Sequence, residues 1–488
     1  MSRRLPEWAM MLAITALLIV PCFWQPHIQA GDLSSHLYNA WLTSEIQRGR
    51  IDGFEIVPVW TNVLTDWVLT AAVPSVGTAW SARLVTVPAV LIFFWGAFFV
   101  LNEVGARRPW RFCPVLALFT YGLVFHLGFL NFYLSTGLSL WILGLLMNPT
   151  ASRLVAVVPL LILALLSHAF PVIWVAGVFA YVRIGAMTSS RWQIALFATG
   201  LGGIVAARLL LSRLPHRWSW DQILSFNGFA SLTAVEQVWL FDGKYLLLSV
   251  ALACVLLLLL ADRLRRGGAL ADPWFQIWML HLFGLMVLPA SIRLPQYDHA
   301  LAYIPQRLSL FTGVAFCLAV CGVKPAREAV ALSGAMAVAF FAFLFVDDRA
   351  YNQIEADVAR VVRTAPEGAR VVASLFDEGI RLNAVAHVAD RTCIGHCFSY
   401  ANYEAPTKQF RIRLRPGNRV NVPSVAASQA IENGEYVVST ADDPIYAVCE
   451  CNSADSTLCL RTLHAGDRVC TVRRPISIRL WNARGRIR

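Results

Sequence analysis

The first residues of chemical interest follow the first apolar stretch, in Ala30-Gly31-Asp32-Leu33-Ser34-Ser35-His36. Asp32 stands where a helix should begin. His36 lies one turn further on, so the two side chains share a face. An aspartate at that point commonly just caps its helix. A carboxylate near a membrane surface is also partly desolvated, which raises its pKa toward that of a useful general base. His36 can assist it, ligate a metal or hydrogen-bond at the interface. Cationic candidates lie further along. Arg293 closes one apolar stretch, Arg307 opens the next, and Lys244 opens an earlier one. Two arginines flanking the polar loop of Tyr297, Asp298 and His299 suit a phosphate through bidentate contacts. The ordinary alternative is snorkelling toward lipid headgroups. His126, Asn131 and His168 fall at expected outer turns, and Asp66 in the first outer loop; all four are candidates to line a cavity. The sequence holds no phosphate-binding glycine loop, Gly-x-Ser-x-Gly elbow or His-Glu-x-x-His pair.

The elements that must position these residues are set by composition. Of 488 residues, 57% are hydrophobic and only 15% charged, with a mean hydropathy of +0.57. Soluble domains carry roughly 25% charge, so a cytosolic enzyme and a disordered chain are both excluded. Apolar runs recur from residue 8 to 346 and describe a polytopic α-helical membrane protein. Eleven spans are expected, at 6–24, 78–102, 112–126, 129–147, 152–167, 169–186, 192–212, 242–261, 273–292, 304–322 and 327–346. Basic residues mark alternate loops: Arg3 and Arg4; Arg107, Arg108 and Arg111; Arg153; Arg183 and Arg191; Arg263, Arg265 and Arg266; Lys324 and Arg327. The positive-inside rule then places the N-terminus in the cytoplasm and the C-terminus outside. The net charge of +11 reflects this topology rather than binding to nucleic acid. A cleaved leader ending at Ala30 is disfavoured by Trp24, Pro26, His27 and Ile28.

Two units follow: a membrane domain, 1–346, with a first outer loop at 25–77, and a soluble domain, 347–488. The second holds 16 of the 30 acidic residues and no run long enough to span. It is expected to be a small α/β or α+β domain. A helix continues the last span through 347–360, strands lie at 369–374 and 435–439, and a hairpin occupies 460–472 about Gly466-Asp467. The alternation in 408–415 reads as an edge strand guarded by charge, or as a basic face toward anionic lipid or glycan. Six cysteines (393, 397, 449, 451, 459, 470) in an outward domain point to disulfides, with no pairing assigned. A metal at Cys393, His396 and Cys397 is the competing reading. In the first loop, Leu33, Leu37, Trp41, Leu42 and Ile46 describe an amphipathic helix lying on the membrane, and Thr61 to Ala72 a second interfacial helix.

This layout resembles the GT-C superfamily of membrane glycosyltransferases, which includes protein O-mannosyltransferases, the lipid A aminoarabinose transferase and oligosaccharyltransferase. The likeness rests on Gly31-Asp32-x3-His36 with Ala40, Ile46 and Gly49, placed just after the first span. It implies that Asp32 acts as general base, taking a proton from an acceptor glycan, lipid or protein. It also implies a donor sugar on a polyprenyl phosphate, with Arg307, Arg293 and Lys244 as candidate phosphate contacts. The chain departs from the family in three ways. Leu33 follows Asp32 where mannosyltransferases carry an acidic pair, Trp-Trp-Asp is absent, and His126 and Asn131 stand between spans three and four where an acid is common. No cofactor is implied, and a divalent metal is left open. A transporter or flippase, and a non-catalytic envelope assembly protein, are the rival classes. Compact size and the lack of eukaryotic retrieval signals suggest a bacterial inner membrane.

Overall fold

The structure is a computed structural model, and it describes residues 6–105, 109–452 and 457–477. Arg3, Arg4, Arg107 and Arg108 of the loop-charge pattern lie outside the described residues. The helices are α1 (Glu7–Ile19), α2 (Leu33–Gln47), α3 (Leu64–Glu103), α4 (Cys113–Thr120), α5 (Leu123–His126) and α6 (Leu130–Met147). They continue with α7 (Ala151–Ser167), α8 (Ala169–Met187), α9 (Ser190–Leu211), α10 (Asp221–Leu224), α11 (Phe226–Leu232) and α12 (Gly243–Arg265). Last come α13 (Pro273–Val287), α14 (Ile304–Ala319), α15 (Arg327–Val362), α16 (Val388–Cys393), α17 (Glu404–Thr407) and α18 (Val425–Glu432). The strands are β1 (Phe54–Ile56), β2 (His216–Arg217), β3 (Ser291–Ile292), β4 (Arg370–Asp377), β5 (Phe398–Ser399), β6 (Ile412–Leu414), β7 (Ile445–Asn452), β8 (Thr457–Leu463) and β9 (Thr471–Arg474).

Among the described residues, α3, α6, α8, α9, α12 and α15 are long and apolar enough to cross a membrane. Glu7–Cys22, α7, α13 and α14 are apolar but shorter. The expected span at 112–126 is two pieces. α4 has 8 residues and α5 has 4, with a turn between them. At 1.5 Å per residue α4 reaches only about 12 Å. Both are buried inside the bundle, where a broken helix can exist because protein rather than lipid surrounds it. α3 and α6 form the tightest pair. A Cβ on Gly96 would sit 2.8 Å from the Gly137 carbonyl oxygen, and one on Gly137 would sit 2.7 Å from the Phe93 nitrogen. Small residues at that crossing let the two backbones touch.

The first outer loop departs from expectation. α2 is not a surface helix: Leu33 through Ala40 are all buried, polar and apolar alike. The C-terminal region covers the face that would otherwise meet water. The second expected helix is the start of α3, which breaks at Gly77 (φ 76°) before entering the apolar run.

α15 passes through residue 346 without interruption and carries the chain into a small sheet. Its order is β5-β4-β7-β8, with β9 also paired to β4. β4 is parallel to β5, β7 and β9, and its run Val371–Leu375 is buried on both faces, as suits a central parallel strand. The expected strand at 435–439 is an isolated bridge, Val437 to Arg468. The expected hairpin at 460–472 does not form. β8 pairs with β7, and the chain after Gly466 crosses to β4 as β9. The disulfides are Cys393–Cys397, Cys449–Cys470 and Cys451–Cys459. The metal reading at Cys393 and Cys397 fails because the two sulfurs are joined to each other. β6 pairs with β1 of the first loop, so Phe54 faces Leu414 across two parts of the chain 360 residues apart.

Candidate active site

Asp32 occupies the N-cap position of α2, but its side chain does not cap the helix. Its backbone is held instead. The Asp32 N–H donates to the Leu127 carbonyl at 3.1 Å. A Cβ on Gly31 would lie 2.6 Å from that oxygen, and one on Gly128 would lie 2.4 Å from the Asp32 nitrogen. Two glycines thus bring the first loop against the α5–α6 turn, with the carboxylate not used for capping. That carboxylate is 24% exposed and borders a cavity of about 310 Å³.

His387 Nε2 lies 3.5 Å from Asp32 Oδ1, and its Nδ1 lies 3.6 Å from Asp390 Oδ2. Burial works to lower the His387 pKa, but Asp32 and Asp390 outweigh it and push it up to about 9. Asp390 accepts a hydrogen bond from Ser399 Oγ, and burial pushes its own pKa up. Burial would raise Asp32 as well. There the hydrogen bond and charge of His387, with smaller contributions from His36 and Tyr403, win and hold it below its ordinary value. The sequence-based expectation of a raised Asp32 pKa is therefore reversed, because it lacked the cation opposite.

His36 Nδ1 lies 3.3 Å from Glu404 Oε1 and 3.4 Å from Asp66 Oδ1. Burial opposes its charge, yet the two carboxylates hold its pKa well above the usual range. His36 is thus set between two carboxylates as their shared partner. Among the described residues no group of three or more His, Cys, Asp or Glu side chains is set to hold a metal ion.

The opposite wall carries Arg307. Its guanidinium stacks over Phe129 at 4.3 Å, and Nη1 donates to the Ala302 carbonyl at 2.7 Å. Nε is buried with no partner among the described residues. Asn131 and His168 line the same cavity. Asn131 Oδ1 accepts from the Thr65 N–H at 2.9 Å, and its Nδ2 is unpartnered among the described residues. His168 Nδ1 accepts from the Phe170 N–H at 3.1 Å. Burial, then the charge of Arg307, lowers its pKa to about 3, so the ring is neutral with its proton on Nε2.

The structure therefore brings Asp32, His36, Arg307, Asn131 and His168 to one cavity, with Asp66 directly behind His36. Three expected residues lie elsewhere. Lys244 is buried in an ion pair with Asp242 (3.0 Å) and Asp347 (2.9 Å), so its charge is already neutralised. Arg293 is exposed beside β3, and its backbone N–H is bonded to the Pro215 carbonyl. His126 is packed behind the wall, with Nδ1 3.1 Å from the Gln29 carbonyl oxygen. His387, Asp390, Tyr403 and Glu404 were missed. The one available signal was the His387-x2-Asp390 spacing at the start of α16, just before Cys393.

No known protein family, no curated protein and no solved structure matches this chain.

Proposed function

We propose that this is a membrane glycosyltransferase of the GT-C kind, moving a sugar from a polyprenyl-phosphate donor to an acceptor on the extracytoplasmic face. One observation carries the reading: Asp32, excused from capping, and Arg307, whose Nε has no partner among the described residues, line one small cavity. The acceptor oxygen bonds to the anomeric carbon as the bond from that carbon to the phosphate oxygen breaks, with inversion. Asp32 receives the acceptor proton. Arg307 neutralises the departing polyprenyl phosphate. His387 stays protonated at neutral pH, so it is no base; it holds Asp32 ionised and in place. A volume of about 310 Å³ is at the small end of the ~300–1,000 Å³ range of ligand pockets and suits one sugar phosphate with its tail outside.

The proposed topology is eleven crossings, with the N-terminus inside and the C-terminal unit outside, in a bacterial inner membrane. Charge supports it. α6 begins at Asn131 by the cavity and ends near Arg153, which bonds the Asn148 carbonyl and Glu103. α14 begins beside Arg307 and ends at Ala319, whose carbonyl accepts from Arg263. Arg153 and Arg263 thus lie at the ends of α6 and α14 away from the cavity, which supports an outward-facing site under the positive-inside rule.

The test is mass spectrometry of lipids retained by the purified full-length protein. Wild type and Asp32→Asn should both retain a polyprenyl-phosphate sugar, and Arg307→Ala should lose it. Glycerophospholipids alone, in equal amounts in all three, would overturn the donor assignment.

A further inference from the structure

A second and larger cavity, about 900 Å³, lies on the other side of Ala302 and Tyr303, which line both. Its wall is built from the end of α9, the β2 strand and the α10–α11 segment. Arg208 stacks against Trp218 at 5.8 Å, and its Nη1 is buried with no partner among the described residues. Arg217, on β2, makes no ion pair among the described residues. His216 beside it donates from Nδ1 to the Leu214 carbonyl at 2.9 Å, which leaves Nε2 available. Asp221 is the one carboxylate in the lining, so the cavity is net positive.

The same segment also exposes apolar side chains. Trp220, Leu224, Phe226 and Phe229, interleaved in sequence with the lining residues, are all more than half exposed. Leu209, next to Arg208, is exposed too, on a helix long and apolar enough to cross a membrane. A cationic lining on a segment that also exposes large apolar side chains matches one kind of ligand, an amphiphile with an anionic head and hydrocarbon tails. Arginines in such a cup favour a phosphate over a carboxylate-free neutral head because the guanidinium forks around its oxygens.

We propose that this cavity binds the phosphate headgroup of an anionic membrane lipid, held by Arg208 and Arg217. Resting on the transferase reading above, the lipid is a second substrate, held in a cavity that shares Ala302 and Tyr303 with the one Asp32 borders. Tyr303 holds a left-handed φ of 58°, a conformation that non-glycine residues seldom adopt. It is also half exposed, and its ring packs on Phe129 with centroids 5.5 Å apart.

The test uses the full chain in phosphatidylcholine nanodiscs doped with phosphatidic acid, read by native mass spectrometry. Wild type should retain phosphatidic acid about tenfold over phosphatidylcholine, the scale of one charge-assisted contact. The double variant Arg208→Gln/Arg217→Gln should bring the ratio near one with an unchanged melting temperature. Asp221→Asn, at an exposed position, should raise the preference. Asp32→Asn should leave it unchanged, so failure here and failure of the transferase reading are told apart. Equal retention of the two lipids by wild type, or no effect of the double variant, would overturn the proposal. Complete displacement by inorganic phosphate would overturn the lipid source and leave a site for free phosphate.

Discussion

At the scale of single residues, the site turns on the partner that each charge has been given. Asp32 is ionised because a protonated His387 faces it, and His36 is protonated because Asp66 and Glu404 flank it. Asp32→Asn removes the proposed proton acceptor without removing a cap, so transfer should fall by about 10²–10⁴ while the melting temperature stays close to wild type. Transfer at the wild-type rate in that variant would rule out Asp32 as the base. In a pH profile, the limb set by Asp32 should fall below the ordinary carboxylate range, since its pKa is lowered. His387 makes a separate prediction. Its pKa is raised from 6.5 to about 9, so its contribution to stability is complete below pH 6.5 and is lost as pH rises through 9. The melting temperature should decline across that window, and His387→Gln should flatten the decline. Equal slopes in the two proteins would show that the pair contributes nothing.

At the scale of elements, α2 is the hinge of the argument. Its apolar positions were legible, and so was its start at Asp32. Its burial was not, because the covering residues come from the other end of the chain. Asn39 and Asn402 exchange hydrogen bonds at 2.9 and 3.1 Å, and Tyr38 accepts from the Ser399 N–H at 3.1 Å. Polar residues that read as a water-facing side are in fact paired inside the protein. The junction with the α5–α6 turn depends on glycine. Gly128 has φ 81° and no room for a Cβ against the Asp32 nitrogen. Gly128→Ala should cost about 1–3 kcal/mol, the range for overpacking, and displace Asp32. A thermal melt and a transfer assay would check both effects; an unshifted melt with full activity would mean that the turn yields freely.

At the scale of the whole molecule, the apolar helical bundle and the C-terminal unit make the candidate site together. β1 pairs with β6, and Arg381 reaches back to a fully buried Glu236 at 2.6 Å. Arg391 Nε donates to Glu355 Oε1 at 2.6 Å, and its Nη1 to the Ile28 carbonyl at 3.1 Å, joining α16, α15 and the approach to Asp32. Arg391→Ala strands a buried carboxylate and should cost about 3–5 kcal/mol. Arg391→Met with Glu355→Gln should recover part of that in a melt, because no unpaired charge remains. A loss no greater than that of the exposed Arg360→Ala would mean that the two units do not depend on this contact.

The apolar helices and the chemical nature of Asp32, His36, Asn131, His168 and Arg307 were legible in the chain alone. Hydrophobic length is a local property, and each of these residues stands at or near the end of an apolar run or beside one. The fate of Lys244, the burial of α2 and the direction of the Asp32 pKa shift were not. Each depends on a group far away in sequence: Asp347, Asn402 and His387. Charge–charge energy depends on distance in space and on the surrounding dielectric, neither of which is written in the order of residues. Sequence alone determined that this protein carries helices apolar and long enough to cross a membrane, and which residues stand at the ends of the apolar runs. Only the tertiary structure decided which of them share a cavity, and which charges were already neutralised before any ligand arrived.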